Sequence, residues 1–404
     1  MKFFKSLPAK LILALIVGIV GGLAIRHFEL SLPVMADVLS VMSSIKYILH
    51  QLIMFCVPLI IIGFIAPSIT KLGAGASRML TVALVLAYVS SILAAFLSMG
   101  AGYAIIPNLN IARDAAEAVD PAPLFTLDIP QIMPVMSALV LSVLLGLAAV
   151  WTKAKTITTL LDEFRAIVLQ IVSKIVIPIL PIYICTVFAT LAYNGTITEK
   201  FPVFVVAIAV VLVGHFVWMG VLYGVAGLYT KTNPLEIVKH YGPAYLTAVG
   251  TMSSAATLSV ALSCAHKAKT LRKDMADFGI PLFANIHLCG SVLTEVFFVM
   301  AVSQVLYNQL PSLGSMILFC LLLGVFAIGA PGVPGGTVSA SLGLIVAVLG
   351  FTEAGTALMI AIFALQDSFG TACNVTGDGA LTLILTGYAK KHGIKEETIA
   401  AVEL

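Results

Sequence analysis

The chain of 404 residues is 60% hydrophobic and only 10% charged, with mean hydropathy +1.10 and a net charge of +3. A soluble domain carries roughly 25% charged residues, so an ordinary soluble protein is excluded, and the dispersed lysines and arginines argue against a nucleic-acid surface. Apolar runs of about 20 residues, rather than alternating segments of ~10, predict an all-α polytopic membrane protein and not a β-barrel.

The opening MKFFKSLPAK has the charge of a signal-peptide n-region, but no small-residue cleavage site follows it, so the first apolar run is read as an uncleaved helix. Spans are predicted over 11–29, 36–66, 78–106, 134–152, 160–195, 201–229, 278–308 and 353–389, eight crossings in all. Of the 22 lysines and arginines, Arg26, Arg113 and Lys200 fall on one side of this arrangement. Lys46 and Lys174 lie inside spans, and the others fall on the opposite side. The positive-inside rule then makes both termini cytoplasmic and the acidic loop 107–133 extracytoplasmic. The six cysteines, Cys56, Cys185, Cys264, Cys289, Cys320 and Cys373, show neither a CxxC pair nor zinc-site spacing, so neither disulfides nor structural metal is expected.

Two apolar segments are interrupted at their middles. Residues 241–265 contain GTMSSAATLS and residues 312–350 contain AIGAPGVPGGTVSAS. Unwound backbone at membrane depth survives only where it is buried in protein or lines a cavity. Each segment reads as a re-entrant hairpin, the two entering from opposite faces; glycine-kinked crossing helices are the alternative, and they would place Lys267–Lys273 on the wrong side. A helix with central polar residues follows each: ANIHLCGS after the first, QDSFGTACNVTGD after the second. Secondary transporters build midplane sites from such inverted pairs.

In the last helix Asp367, Gly370, Thr371, Asn374 and Asp378 recur at spacings that keep them on one narrow face. Ionisable groups at membrane depth are costly, by at least ~2.5 kcal/mol each, and face a site or a partner. A partner lysine, Lys46 or Lys174, is one reading; a binding site is the other. The two carboxylates stand about 16 Å apart at ~1.5 Å per residue, and so hold different things. NVTGD offers an amide oxygen, carbonyls freed at Gly377 and the Asp378 carboxylate to a hard cation, whereas Asp367 is placed to hold an amine.

The order SSAATLS, NIHLCGS, GAPGVPGG and DSFGTACNVTGD resembles the dicarboxylate/amino acid:cation symporter family, which includes glutamate transporters and neutral amino acid exchangers. The resemblance implies a transporter rather than an enzyme, with scaffold helices in 1–77 and 134–200 and a transport domain in 78–133 and 201–404. It implies a homotrimer in the cell membrane, an amino acid as substrate, Na+ as the coupling ion with H+ as the alternative, and no other cofactor. Ser253 and Ser254 would meet the substrate carboxylate, with Ser291 nearby. The second hairpin's tip, Pro331 to Gly336, would close over it through Val333 and Gly335. Asp367 would take the ammonium group, beside Thr371, and Asn374 the α-carboxylate. One sodium would sit near Phe283, His287, Asn374 and Asp378, and a second between Asn285, Leu288, Ala327, Ile328 and Ala330.

Two departures modify these expectations. Gly370 stands where acidic-substrate members carry an arginine, which disfavours a substrate with a second carboxylate and leaves a neutral amino acid as the expected cargo. His287, Leu288 and Cys289 replace the family's Asn-Met-Asp, so a third cation site involving Tyr88, Ser90 and Ser91 is expected to be lost. His287 either couples transport to protons, with Glu295 as a relay, or is hydrogen-bonded within the bundle. His215 is expected to be structural. From another class, Ser253, His287 and Asp367 can be drawn as a hydrolytic triad, but no GxSxG elbow accompanies them.

Overall fold

A computed structural model describes residues 7–28, 34–73, 78–109, 122–330, 332 and 334–394; among these the regular structure is helical, with no strand. The helices in chain order are α1 (Leu7–Phe28), α2 (Val34–Gly73), α3 (Arg78–Ile105), α4 (Val135–Thr152), α5 (Lys155–Ile171), α6 (Ile177–Tyr193) and α7 (Thr196–Thr230). A single turn, α8 (Leu235–Val238), precedes α9 (Gly242–Thr251), α10 (Ser254–Lys267), α11 (Lys273–Ile286), α12 (Cys289–Tyr307), α13 (Leu313–Gly329), α14 (Gly336–Leu349) and α15 (Glu353–Lys391). Among the described residues eight helical stretches are long and apolar enough to cross a membrane, and they coincide with the eight predicted spans.

The fifth span begins earlier than the hydropathy pattern predicts. Its first half, α5, is amphipathic and carries Asp162, Glu163 and Arg165, and the Arg165 guanidinium lies 5.7 Å from the Phe64 ring of α2. A five-residue π-helix, Val172–Val176, joins it to α6, just before Pro178 and Pro181 remove two backbone donors. α1 packs on α6 through Gly18 and Gly22, where a side chain would collide with the backbone at Cys185 and Ala189. This is the small-xxx-small solution to helix packing in lipid. In the loop after α3, the Leu124 amide donates to Ser44 Oγ (2.8 Å) and the Tyr47 hydroxyl to Asp128, so this segment lies against α2.

The interrupted segments are hairpins. Tyr241, just before α9, neighbours Cys264 near the end of α10. At the base of the second pair, the Tyr307 hydroxyl meets Thr352 Oγ1 (3.0 Å) and accepts from the Thr352 amide (3.0 Å), which brings together the residues that flank α13 and α14. Each pair therefore returns to the end it left, which a kinked crossing helix cannot do. α9, at about 15 Å, is half of a ~30 Å bilayer core.

The seventh span departs from expectation. Instead of one helix it is two, α11 and α12, separated by non-helical backbone at His287, which is extended, and Leu288. α12 packs against α15, α3 and α7, and the α11–α12 and α15 stretches are the most enclosed of the eight. The helices richest in membrane-depth polarity thus have protein, rather than lipid, around them, as the expense of those groups requires.

Candidate functional site

Three chain interruptions and one polar stripe meet in the interior. At the tip of the first hairpin Met252 takes left-handed backbone (φ 54°) and Ser253 caps α10, its Oγ accepting from the Ala256 amide at 3.2 Å. The same Oγ donates to the carbonyl of Gly332 on the other hairpin at 2.7 Å, so the two tips are joined directly. Gly335 has φ +68°, a conformation in which a side chain is strained, and its amide donates to Asp367 Oδ2 at 2.7 Å. Asp367 also bonds Thr371, one turn further along α15.

The break between α11 and α12 is held from α15. Asn374 Oδ1 accepts from the amides of Gly290 (2.7 Å) and Ser291 (3.3 Å), the first orphan donors of α12, while its Nδ2 donates to Ser291 Oγ (2.9 Å). Asn374 is therefore a helix cap supplied by another helix.

These groups surround a cavity of about 10 Å³ lined by Met252, Ser254, Leu288, Ser291, Gly332, Thr337, Asp367, Thr371 and Asn374. That is room for about one water molecule, so a larger guest has to part the tips. Ser254, Ser291, Asp367, Thr371 and Asn374, all expected from sequence, are brought together here. Gly335 reaches the site through its amide. Pro331 and Val333 lie outside the described residues. Gly370 does not line the cavity: a Cβ there would stand 3.4 Å from Ser291 Cα and N, so this face of α15 meets the backbone of α12.

Beyond the cavity, His287 is fully buried between Asp378, whose Oδ1 is 2.8 Å from its Nδ1, and Ser90, whose Oγ is 2.8 Å from its Nε2. Phe283 presents its ring to the imidazole at a centroid distance of 6.2 Å. Phe283, His287, Asn374 and Asp378 are thus neighbours, as expected, but a side chain rather than an ion-facing void adjoins the Asp378 carboxylate. α15 runs unbroken through Gly377, so the carbonyls expected to be freed there are not freed by a helix break; the unwound backbone is at His287 and Leu288 instead. The Phe283 carbonyl accepts the His287 amide (2.9 Å).

For the second expected ion group, α13, which carries Ala327 and Ile328 and ends at Ala330, touches α11. The Asn285 side chain turns back to the Pro281 carbonyl (2.8 Å). Tyr88 bonds the Leu321 carbonyl (3.3 Å), away from Ser90, and Ser91 Oγ is buried without a partner. The three do not form a cage.

Among the described residues neither Asp367 nor Asp378 is paired with lysine or arginine: Lys46 lies beside His50, and Lys174 is exposed. The triad drawn from Ser253, His287 and Asp367 is not assembled, because each bonds a different partner. His215 Nε2 lies 3.1 Å from the Gly290 carbonyl and 2.9 Å from Thr294 Oγ1, bracing α7 against α12. Glu295 is fully buried against Ser341 of α14, not at a helix end.

Sequence reasoning missed Thr337 and Met252 in the cavity wall and the role of Ser90 beside His287. Thr337 follows the glycine pair of the hairpin tip, which could have marked it as the start of the returning helix.

The family model described as the sodium:dicarboxylate symporter family matches residues 7–388. Among curated proteins, excitatory amino acid transporter 3 of Bos taurus is 31% identical over 41% of this chain and 31% of its own length. Excitatory amino acid transporter 1 of Homo sapiens is 28% identical over 51% of this chain and 37% of its own. The matched region spans about a third of the length of these relatives.

Proposed function

The chain belongs to the sodium:dicarboxylate symporter family, and on that premise we propose that it is a cation-coupled secondary transporter that carries an amino acid, by preference a neutral one, across the membrane. The observation that carries this reading is convergence: two hairpin tips, the α11–α12 break and the α15 stripe share one polar cavity. Asp367 receives the substrate ammonium, exchanging its bond to the Gly335 amide for a charge-assisted one. Ser254, Ser291 and Asn374 receive the carboxylate, aided by the N-terminal ends of α10 and α12.

Selectivity against acidic cargo rests on Gly370, which supplies no counter-charge for a second carboxylate. Sodium is the coupling ion in this reading, with Asp378 and the backbone around Phe283 and His287, and that around Asn285, Leu288, Ala327, Ile328 and Ala330, as its ligands. The transport domain, residues 78–133 and 201–404, moves like an elevator against a scaffold of residues 1–77 and 134–200 within a homotrimer. A second reading, proton coupling, is favoured by one observation: His287 already bridges Asp378 and Ser90.

The test is uptake by purified protein in liposomes, with a labelled panel of neutral, acidic, sulfur-containing and dicarboxylate substrates and with sodium and proton gradients imposed separately. Sodium-driven accumulation of a neutral amino acid is expected. Accumulation driven by the proton gradient alone transfers the assignment to the second reading, and mere equilibration of substrate would overturn both.

A further inference from the structure

A second cavity, of about 90 Å³, lies where the end of α7, the α10–α11 loop and the end of α15 come together. Its polar wall is Thr230, Thr232, Thr270, Thr386, Lys390 and Lys391, and among the described residues no carboxylate lines it. A single water needs ~10–15 Å³, so the space admits a polyatomic guest.

The donors are in place for one kind of guest. Thr270 Oγ1 is buried and has no hydrogen-bond partner among the described residues. Thr386 Oγ1 accepts from the Arg272 amide at 3.4 Å, which leaves its own hydrogen to donate. Thr230 Oγ1 donates to the Ala226 carbonyl (2.7 Å) and lies 2.7 Å from Thr232 Oγ1, so it accepts from Thr232 and the hydrogens of both threonines are spent. Lys391 Nζ is positioned by the Tyr229 carbonyl at 3.0 Å and by the Tyr229 ring beneath it at 3.5 Å. Among the described residues, Asp274 and Asp277 of α11 and Glu236 of α8 are engaged by Arg272 (2.5 Å), His266 (2.6 Å) and Lys239. Hydroxyl donors beside two lysines, with no competing carboxylate among the described lining residues, suit an anion that accepts several hydrogen bonds at once.

We infer that this cavity binds a phosphate group, presented by the headgroup of an anionic phospholipid or by free inorganic phosphate. Thr270 and Thr386 donate to its oxygens, Lys390 and Lys391 balance its charge, and the bound group ties α15 to α7 and to the loop that leads into α11. Basic pockets between spanning helices take headgroups in this way.

The test uses the full chain in nanodiscs, read by native mass spectrometry and thermal unfolding, with phosphatidylcholine as the neutral background. One arm adds phosphatidylglycerol and the other inorganic phosphate. Retained adducts and a raised melting temperature in either arm are expected, and the arm that responds identifies the source. Lys390→Gln and Lys391→Gln should each weaken binding about fivefold, as removal of one basic residue from an anionic surface does. Thr270→Val should weaken it too, while Lys390→Arg with Lys391→Arg retains it. Each variant is first shown to melt as the parent does in neutral lipid. An adduct count equal to the neutral control in both arms, or binding unchanged in Lys390→Gln, Lys391→Gln and Thr270→Val combined, overturns the inference.

Discussion

Asp367 and Asp378 sit on one helix, yet their surroundings give them separate tasks. Asp367 faces the cavity and accepts the Gly335 amide at 2.7 Å, a bond a neutral asparagine makes less well and an ammonium can replace. Asp367→Asn should weaken the uptake of amine-bearing substrates roughly ten- to a hundredfold, the worth of a hydrogen bond to a charged group, and the concentration dependence of liposome uptake checks it. Asp378 instead shares His287 with Ser90. If that bridge takes a carboxylate oxygen from a cation, His287→Gln should raise apparent sodium affinity and flatten the dependence of uptake on pH. Sodium activation curves at two pH values measure both, and curves superimposable on those of the parent would remove His287 from ion coupling. The serine, histidine and aspartate of this bridge are each buried, and none lines the cavity, so the arrangement does not serve a nucleophile.

At the scale of elements, the hairpins are joined where they meet. Ser253 both caps α10 and holds Gly332, two bonds from one hydroxyl. Ser253→Ala should cost about 1 kcal/mol for the cap and a similar amount for the tip bond, and should increase the modification rate of a cysteine placed at Thr337 several-fold. The hairpins themselves were legible in sequence because small residues and prolines interrupt apolar runs at their centres, a local signal. The α11–α12 break was not. ANIHLCGS contains no proline, and what stabilises the break is Asn374, whose amide group meets the orphan donors of α12 from 84 residues away. Propensity cannot show a cap that arrives from another helix. The stripe on α15 was legible, since its periodicity is local, but the direction of Gly370 was not, because only packing shows that it abuts Ser291.

At the scale of the whole molecule, two sets of helices have different neighbours. α1 packs chiefly on α6, and α2 on α4, α5 and α6, whereas α12 and α15 gather α3, α7 and the hairpins. One of the places where the sets touch is where α14 meets α4 and α2, and there Gly343 lies so close to Val135 that any side chain must displace it. A larger residue at this seam overpacks it by about 1–3 kcal/mol. If the elevator proposal holds, Gly343→Leu should lower the maximal uptake rate with little change in substrate affinity, because the cavity is elsewhere. Measuring both from equilibrium binding and initial rates separates the outcomes, and an unchanged rate would count against sliding at this seam.

α15 is the one element common to the polar cavity, the His287 bridge and the basic pocket, an uninterrupted helix of 39 residues. Asp367, Asn374 and Asp378 lie along its middle, and Thr386 and Lys390 near its end. A continuous hydrogen-bonded helix has no joint between those positions, so none of them can be displaced along its axis without the others. Holding one end in the plane of the lipid headgroups would then act as a brake on the middle. With a lipid as the source of the phosphate, the membrane's own composition would throttle traffic without any molecule entering the path the cargo takes.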